Sequence, residues 1–563
     1  MKNKIWMMIV CFFFFPALAF SSSLDLLRIS LLEGEVQIRT EETEDWVPAS
    51  INMPLKEGDR IWVPEEGRIE LQLKEGSFLR LDEQSALEIL TLEKDSFQFY
   101  LTEGRAYINY RGLKNKVLQI DTSLASIRVF ERARFRIDAT REGSTDVSVY
   151  KGYLYAETRE GRTRVHEGKV LSLREGTYAE LSPLGTPDEW ERWNRERDRR
   201  VSAKRPPSQY LPEELHPYAY EFEENGRWVH VREYGYVWTP TVVVSVGWAP
   251  YRIGRWVWIR GDYVWISYEP WGWIPYHYGR WAFIVNIGWC WVPPPRGAVF
   301  WGPGFVGWVH TPHYVSWVPL APGEIYYGYG YYGPHSVNIT QVNIKQIDVH
   351  KVVYKNVHVH NAVTVVHREN FIKGRHEPLK VKENPFLHER ISLGRPDIPP
   401  EKEAKIPLLK EIPHHKRPPE PIREIKVKEF KERRPLERKP EVSVLRPGSR
   451  LEEMKPRLKE RKALEREEKI EIRRPPEKGE TQPQREPKKE IEKPRSLKRE
   501  ELPERTEPQK PIQTPPKGRE RMEKPRESAP VGKGQGKVRE PRVLEKGNGE
   551  EKGGMERGKD SKP

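Results

Sequence analysis

From Leu24 to about Leu184, apolar and polar side chains alternate in short runs separated by glycine-bearing turns. Gly34-Glu35-Val36-Gln37-Ile38, Arg68-Ile69-Glu70-Leu71-Gln72-Leu73, Ser77-Phe78-Leu79-Arg80-Leu81 and Asp146-Val147-Ser148-Val149-Tyr150 are typical. Successive side chains on a strand point to opposite faces, so a period of two predicts strands with one face in a core and the other toward water. Turn signals fall between the runs at Glu57-Gly58-Asp59, Lys74-Glu75-Gly76, Arg141-Glu142-Gly143, Lys151-Gly152 and Arg159-Glu160-Gly161. No helical period is sustained, and the spacing predicts an all-β domain over 24–184, built as a barrel, sandwich or roll. In the connector 185–209, Trp190 and Trp193 stand three apart among Glu and Arg, which predicts a short amphipathic helix over Asp188 to Arg200 that Pro206-Pro207 ends.

Between 210 and 325 the pattern changes to a repeat. Gly-x-Trp recurs as Gly226-Arg227-Trp228, Gly254-Arg255-Trp256 and Gly279-Arg280-Trp281, with a variant at Gly307-Trp308. Each is followed by a second tryptophan: Trp238, Trp265, Trp291 and Trp317. Trp248-Ala249-Pro250-Tyr251 precedes Gly254 just as Trp273-Ile274-Pro275-Tyr276 precedes Gly279, a period of 25 residues. That length suits one β-hairpin or three short strands per unit, and a unit so small cannot bury its own apolar face. The expectation is an array of hairpins with indoles as its core. Indole faces also stack on sugar rings, and within the array the crowded segment holding Trp271, Trp273, Tyr276 and Trp281 is the candidate for exposed, ligand-contacting aromatics.

A β extension of one or two strands is expected over 326–373, where polar and apolar residues alternate again. His358 and His360 would share a strand face there, with His350 and His367 nearby. No spaced thiol or carboxylate completes a metal set, so they read as solvent-facing histidines. From Gly374 to Pro563 the chain becomes Lys, Arg, Glu and Pro, a polyampholyte expected to stay disordered because it cannot bury enough surface to offset its ordering entropy.

Composition agrees with that division. Only 36% of the 563 residues are hydrophobic and 32% are charged, with 50 prolines, so a large part must be solvated. Fourteen of the 19 tryptophans lie between Trp228 and Trp317 and none follows, which concentrates the aromatic core in the centre. Lys2 and Lys4, the apolar run Ile5 to Phe15 and Ala17-Leu18-Ala19 read as a cleavable export signal over 1–19. No later segment is long and apolar enough for a transmembrane helix. Cys290 is then the single mature cysteine, which excludes an internal disulfide. The net charge of +14 favours anionic surfaces through the basic tail, and export disfavours nucleic acid as a partner.

The succession Gly34-Glu35-Val36, Trp46, Leu55-Lys56-Glu57-Gly58-Asp59-Arg60-Ile61, Gly67-Arg68-Ile69-Glu70-Leu71, Gly76 to Leu81, Leu101 to Arg105 and the strand Ala133 to Ile137 resembles the FecR domain over most of 24–182. The family often carries a Gly-Thr pair before that last strand; Arg132-Ala133 stands there instead. The repeat, with Glu269-Pro270-Trp271-Gly272-Trp273 and Val318-Pro319-Leu320-Ala321-Pro322-Gly323-Glu324, resembles a bacterial Trp-rich family of unknown function found C-terminal to FecR domains. The resemblance implies an extracytoplasmic sensing or interaction domain without enzyme activity. No nucleophile elbow, zinc-protease helix or phosphate loop is present in the sequence, and no cofactor is expected. The expected function is a secreted, non-catalytic interaction or scaffold protein of the periplasm or envelope, whose partners are envelope polymers or proteins. The alternatives are a peptidoglycan- or carbohydrate-binding module using exposed Trp, and a sensor acting through a membrane partner.

Overall fold

The structure, a computed structural model, describes residues 24, 26–112, 115–202, 209–241, 247–419 and 422. The expected export signal, Pro206-Pro207 and the tail beyond 422 lie outside the described residues. The chain divides into two units, Met1–Glu471 and Ile472–Pro563, and every described residue belongs to the first.

Sixteen strands, from Leu27–Glu33 to Glu180–Pro183, join in one hydrogen-bonded sheet. Its spine is the 15-residue strand Ser96–Tyr110. The first part of this strand pairs with Ser85–Leu92 and, in parallel, with Val117–Asp121. Its second part pairs with Phe78–Leu81 and Ala133–Thr140. Register shifts mark one bulge on the long strand, at Thr102 opposite Ala86/Leu87, and one on its partner between Ile89 and Thr91, and such bulges let one long strand bend and serve two layers. Leu71, Leu87, Phe99, Ile108, Ile120, Phe135 and Val147 fill the space between the layers.

Ala133–Thr140 and Ser144–Lys151 show the alternation the sequence predicts. Arg68–Leu73 and Phe78–Leu81 do not, because their polar side chains are buried as well. The reason is a lid: the helix Glu189–Ser202 lies on that face and brings Asn194, Arg197 and Asp198 to Glu70 and Arg80. Glu70 accepts from Arg80 Nε at 2.8 Å, Arg197 Nη2 at 2.7 Å and Ser30 Oγ at 2.8 Å. Arg80 also donates to Asp198 Oδ1 at 2.8 Å, and the Tyr107 hydroxyl donates to Asp198 Oδ2 at 3.0 Å. Burial alone would raise the Glu70 carboxyl; the two guanidinium groups outweigh it and hold it down at about 2. Trp190 of the helix is buried edge-on against Tyr107, whereas Trp193 is half-buried beside the Arg68 guanidinium.

The seam continues into the Trp-rich part. Arg28, on the first strand, donates to Asn52 Oδ1 at 3.0 Å and Gln72 Oε1 at 2.9 Å, and pairs with Glu221 of the helix Ala219–Asn225. Its guanidinium sits 5.7 Å from the Trp273 ring. Asn52 completes the joint by donating to the Ser267 and Glu269 carbonyls at 3.1 and 2.7 Å.

The repeat is a set of four antiparallel hairpins: Gly226–Val231 with Gly235–Pro240, Gly254–Ile259 with Asp262–Ser267, Arg280–Ile284 with Gly288–Val292, and Val306–His310 with Tyr314–Pro319. In each, the first tryptophan stands directly opposite the second: Trp228 faces Trp238, Trp256 faces Trp265, Trp281 faces Trp291 and Trp308 faces Trp317. The glycine of Gly-x-Trp makes room for the second indole. A Cβ on Gly226 would stand 2.4 Å from the Trp238 ring, one on Gly254 2.8 Å from Trp265, and one on Gly279 2.7 Å from Trp291. In the fourth hairpin Val306 stands at the equivalent place, and its glycine, Gly307, makes room for Tyr354 instead.

Two expectations need correction. His358 and His360 do not share a strand face: the stretch between the short strand Ser336–Asn338 and Thr364–His367 runs through tight turns, with His358 ending the turn Lys355–His358. Asn343 and Asp348 cap neighbouring turns by accepting from Lys345 N and His350 N at 3.2 Å each, local bonds that compete with strand pairing. Residues 374–419, expected to be part of a disordered segment, are instead folded. They run across the folded body, burying Phe386, Ile398 and Ala404, and Ser392 N donates to the Trp308 carbonyl at 2.9 Å. Sparse apolar residues suffice here because the surface that receives them is already built.

Glu70→Ala should cost about 3–5 kcal/mol, the usual result of stripping one partner from a buried ionic cluster, read by urea denaturation. Gly254→Ala should cost roughly 2–4 kcal/mol through overpacking and backbone strain. Gly235→Ala, at a left-handed turn with open space around it, should cost only about 1 kcal/mol. Equal losses at the two glycines would show that the indole contact is not what demands Gly254.

Candidate functional site

Trp271, Trp273, Tyr276 and Trp281 are all buried, Trp273 and Tyr276 completely, so they are not the exposed ligand-contacting set expected of them. Their crowding reflects packing of ring on ring. Trp271 stacks on Tyr276 with centroids 5.6 Å apart and meets Trp238 edge-on at 5.1 Å; Trp281 meets Trp248 at 5.8 Å. Aromatic pairs at these distances gain from edge-to-face and offset geometry beyond the area they bury.

At the centre of this packing is Glu269, a buried carboxyl that accepts from Trp248, Tyr276 and Ser267. Trp248 Nε1 donates to its Oε1 at 2.9 Å, and the Tyr276 hydroxyl donates to its Oε2. The Tyr251 hydroxyl donates to the Tyr276 carbonyl at 2.8 Å and accepts from Phe305 N at 2.9 Å, while Trp317 Nε1 donates to the Tyr251 carbonyl at 3.0 Å. The two Trp-x-Pro-Tyr blocks are thus tied to each other and to the fourth hairpin by one chain of hydrogen bonds. Burial pushes the Glu269 carboxyl up to about 7 against the pull of its three donors. Its sequence signal was an acidic residue inside an otherwise aromatic motif. Arg28 carried no such signal, since its partners are far away in the chain.

Cavities open elsewhere. A groove of about 780 Å³ runs along the edge of the β domain between Glu65, Glu83, Glu103 and Arg141 on one side and His415 to Arg417 on the other. The arriving segment is held by its backbone: the Lys416 carbonyl accepts from Gln37 Nε2 at 2.6 Å and Trp62 Nε1 at 3.0 Å, and Ile422 is buried against Trp46, Trp62 and Ala86. A smaller cavity of about 220 Å³ lies beside Arg280 on the third hairpin. Cys290 is buried on the same hairpin, with its thiol pushed up to about 12 by burial, which leaves it without thiolate character at neutral pH. Among the described residues no cluster of three His, Cys, Asp or Glu is placed to hold a metal, and no helix is long and apolar enough to cross a membrane.

Glu269 gives a sign to the pH response. With a folded value near 7 and an ordinary value near 4.5, the folded state holds the proton more tightly. The contribution is full below about pH 4.5 and is lost as pH rises through 7. Glu269→Gln, which mimics the protonated group, should therefore melt close to the parent at pH 5 and gain on it at pH 8. Thermal denaturation at both values checks this, and an unchanged difference would contradict it.

Residues 59–155 match the family model for FecR protein, and residues 219–324 match a family of unknown function, DUF6600. No curated protein matches. Two crystal structures described as an anti-sigma factor from Parabacteroides distasonis, at 1.65 and 2.50 Å resolution, are similar at 20% and 18% identity. Each match covers 22% of this chain and 59% of the solved one, with a TM-score of 0.21, an overlap too partial to bear on function. The two family matches meet the fold in order, the first within the 16-stranded sheet and the second across the four hairpins. The chain is a FecR-domain protein in which a Trp-rich domain of unknown function follows the FecR domain.

Proposed function

We propose that this protein works outside the cytoplasm as a non-catalytic interaction protein of the cell envelope, a scaffold that binds envelope proteins or polymers through two domains fused into one body. The observation that carries the reading is the buried seam of Arg28, Asn52 and Glu221, continued by Glu70, Arg80, Arg197 and Asp198. Domains joined by buried, paired charges present one continuous surface, unlike domains on a flexible linker. Glu70, Glu221 and Glu269, the buried carboxyl groups at the heart of the fold, are engaged in bonds within it. The edge groove already receives one segment of the chain, whose tight turn His414–Lys416 offers the Lys416 carbonyl to Gln37 and Trp62, and capture of a partner's backbone is how many domains take peptides.

A second reading, a sensor that acts through a separate membrane protein, is favoured by the FecR match itself. One experiment addresses both. A photo-crosslinking residue in place of Glu103, at the groove, should trap an envelope protein in intact cells, with the mature chain in the envelope fraction and beginning near Phe20. An inner-membrane adduct would favour the sensor and a wall- or outer-membrane-bound adduct the scaffold. Recovery of the chain in the cytosol, or the absence of any adduct, would overturn the proposal.

A further inference from the structure

Three of the hairpins carry Gly-Arg-Trp, so the same point of the fold holds an arginine three times, and the three meet different surroundings. Arg227 is exposed. Arg255 is buried, and the chain arriving from the C-terminal side closes over it: Nη2 donates to the Glu403 carbonyl at 2.7 Å, and Gly374 packs against the same nitrogen. That glycine is needed there, since a Cβ would stand 1.8 Å from Nη2. The second hairpin therefore shows what this position takes, an oxygen acceptor brought in by another segment.

Arg280, on the third hairpin, has a similar setting, but the acceptor that another segment brings it is distant. Its Nη1 donates to the carbonyl of its own neighbour Gly279 at 2.8 Å. The Nη2 contact to the His335 carbonyl is 3.5 Å, the far limit of a hydrogen bond, and Nε is shut off from solvent with no acceptor. Among the described residues no carboxylate lies within ion-pair reach. Glu324, the nearest acidic influence, has both oxygens occupied, by Ala321 N at 2.8 Å and Lys355 N at 2.6 Å. The guanidinium lies 3.9 Å from the centre of the Phe305 ring, a stacked contact that fixes its plane.

This cation lines the cavity of about 220 Å³, whose other walls are Phe300, Phe305, Tyr332, Pro294, Pro322 and Pro334. Desolvation pulls the guanidinium down to about 10, so it stays charged at neutral pH in a wall that is otherwise mostly apolar, with His335 as its other titratable side chain besides Tyr332. A charge held this way, without a counter-charge, is stabilised by an anion that can take two parallel N–H bonds. The volume lies below the 300–1,000 Å³ usual for drug-sized ligands, which restricts the occupant to a single small unit. We propose that this cavity binds a small carboxylate, a sugar acid or the C-terminal residue of a peptide, with Arg280 taking the carboxylate and Phe300, Phe305 and Tyr332 covering its body. Only the source of that ligand rests on the envelope reading; the binding itself does not.

The test is calorimetric titration of the purified full chain with D-glucuronate and with N-acetyl-L-alanine, and with D-glucose and N-acetyl-L-alanine amide as neutral counterparts. Saturable binding of at least one carboxylate, with no binding of its neutral counterpart, is expected, and the tighter of the two carboxylates identifies the source as sugar or peptide. Arg280→Gln should weaken it at least tenfold while the melting transition is retained. Ala298→Trp, which fills the cavity from its lining and keeps the arginine, should do the same if the first variant fails to fold. Neither carboxylate saturating up to about 10 mM, equal binding of the neutral compounds, or undiminished binding by both variants would overturn the site. Loss of the site would leave the crosslinking result at the edge groove untouched, so the two proposals fail separately.

Discussion

Arg28 is the residue on which the two-domain body turns. A guanidinium removed from water needs acceptors for its five N–H groups, and no single element of this fold supplies them. The β domain contributes Asn52 and Gln72, the entry helix of the Trp-rich domain contributes Glu221, and the faces of Tyr218 and Trp273 cover the cation. The demand of one buried charge thereby fixes the strand, the loop that presents Asn52 in a left-handed conformation and the helix on which the hairpins begin. Glu70 repeats the logic one strand away, with Arg80 from the sheet and Arg197 from the connecting helix. Buried ion pairs contribute little net stability but define a geometry strictly, because a misplaced partner leaves a charge unpaired. The seam acts as a register device between two sheets that hydrophobic contact alone would let slide.

Within the Trp-rich domain a different constraint operates. Each hairpin brings two tryptophans to opposite positions across the strands, and on the first three the second ring extends over the Cα of the motif glycine. This removes the glycine's freedom to be anything else and gives the repeat its spacing. The units share that geometry but have diverged at the arginine between glycine and tryptophan, and a repeat with a conserved scaffold and variable surroundings at one point is well suited to specialise that point. The chain itself has closed over Arg255, while the same position on the next hairpin faces a cavity.

Much of this was legible in the sequence, and the failures share a cause. Period-two alternation located the strands of the β domain, and the pairing of each Gly-x-Trp with a later tryptophan located the hairpins, because both patterns are local. The polar face of Arg68–Leu73 read as solvent-facing because its cover, the helix Glu189–Ser202, comes more than a hundred residues later. Trp271, Trp273, Tyr276 and Trp281 read as exposed because nothing local says which other rings will meet them. The charged segment after Gly374 read as disordered on composition, although Phe386, Ile398 and Ala404 are enough when a finished surface waits for them. Periodicity reports what a segment offers; burial depends on what arrives to meet it.

The segment 374–419 changes what the two domains can do together. It leaves the Trp-rich domain by way of Ser392 and Trp308, pins Arg395 between Trp258 and Tyr329 with an ion pair to Asp262 at 3.3 Å, and then crosses to the β domain, where Lys410 meets Glu35 at 2.8 Å. The chain is therefore bound to both domains before its more highly charged part begins. A separation of the two domains would have to break the ionic seam and peel this strap at the same time. The polar contacts that hold the strap are each modest, but because one chain links them, each contact made raises the effective concentration for the next. Among the described residues, the strap's attachments nearest its C-terminal side, Ile422 and the Lys416 carbonyl, are both at the Trp62 edge of the β domain. The edge groove, walled on one side by His415 to Arg417, is consequently the part of the body whose accessibility is most directly set by the strap.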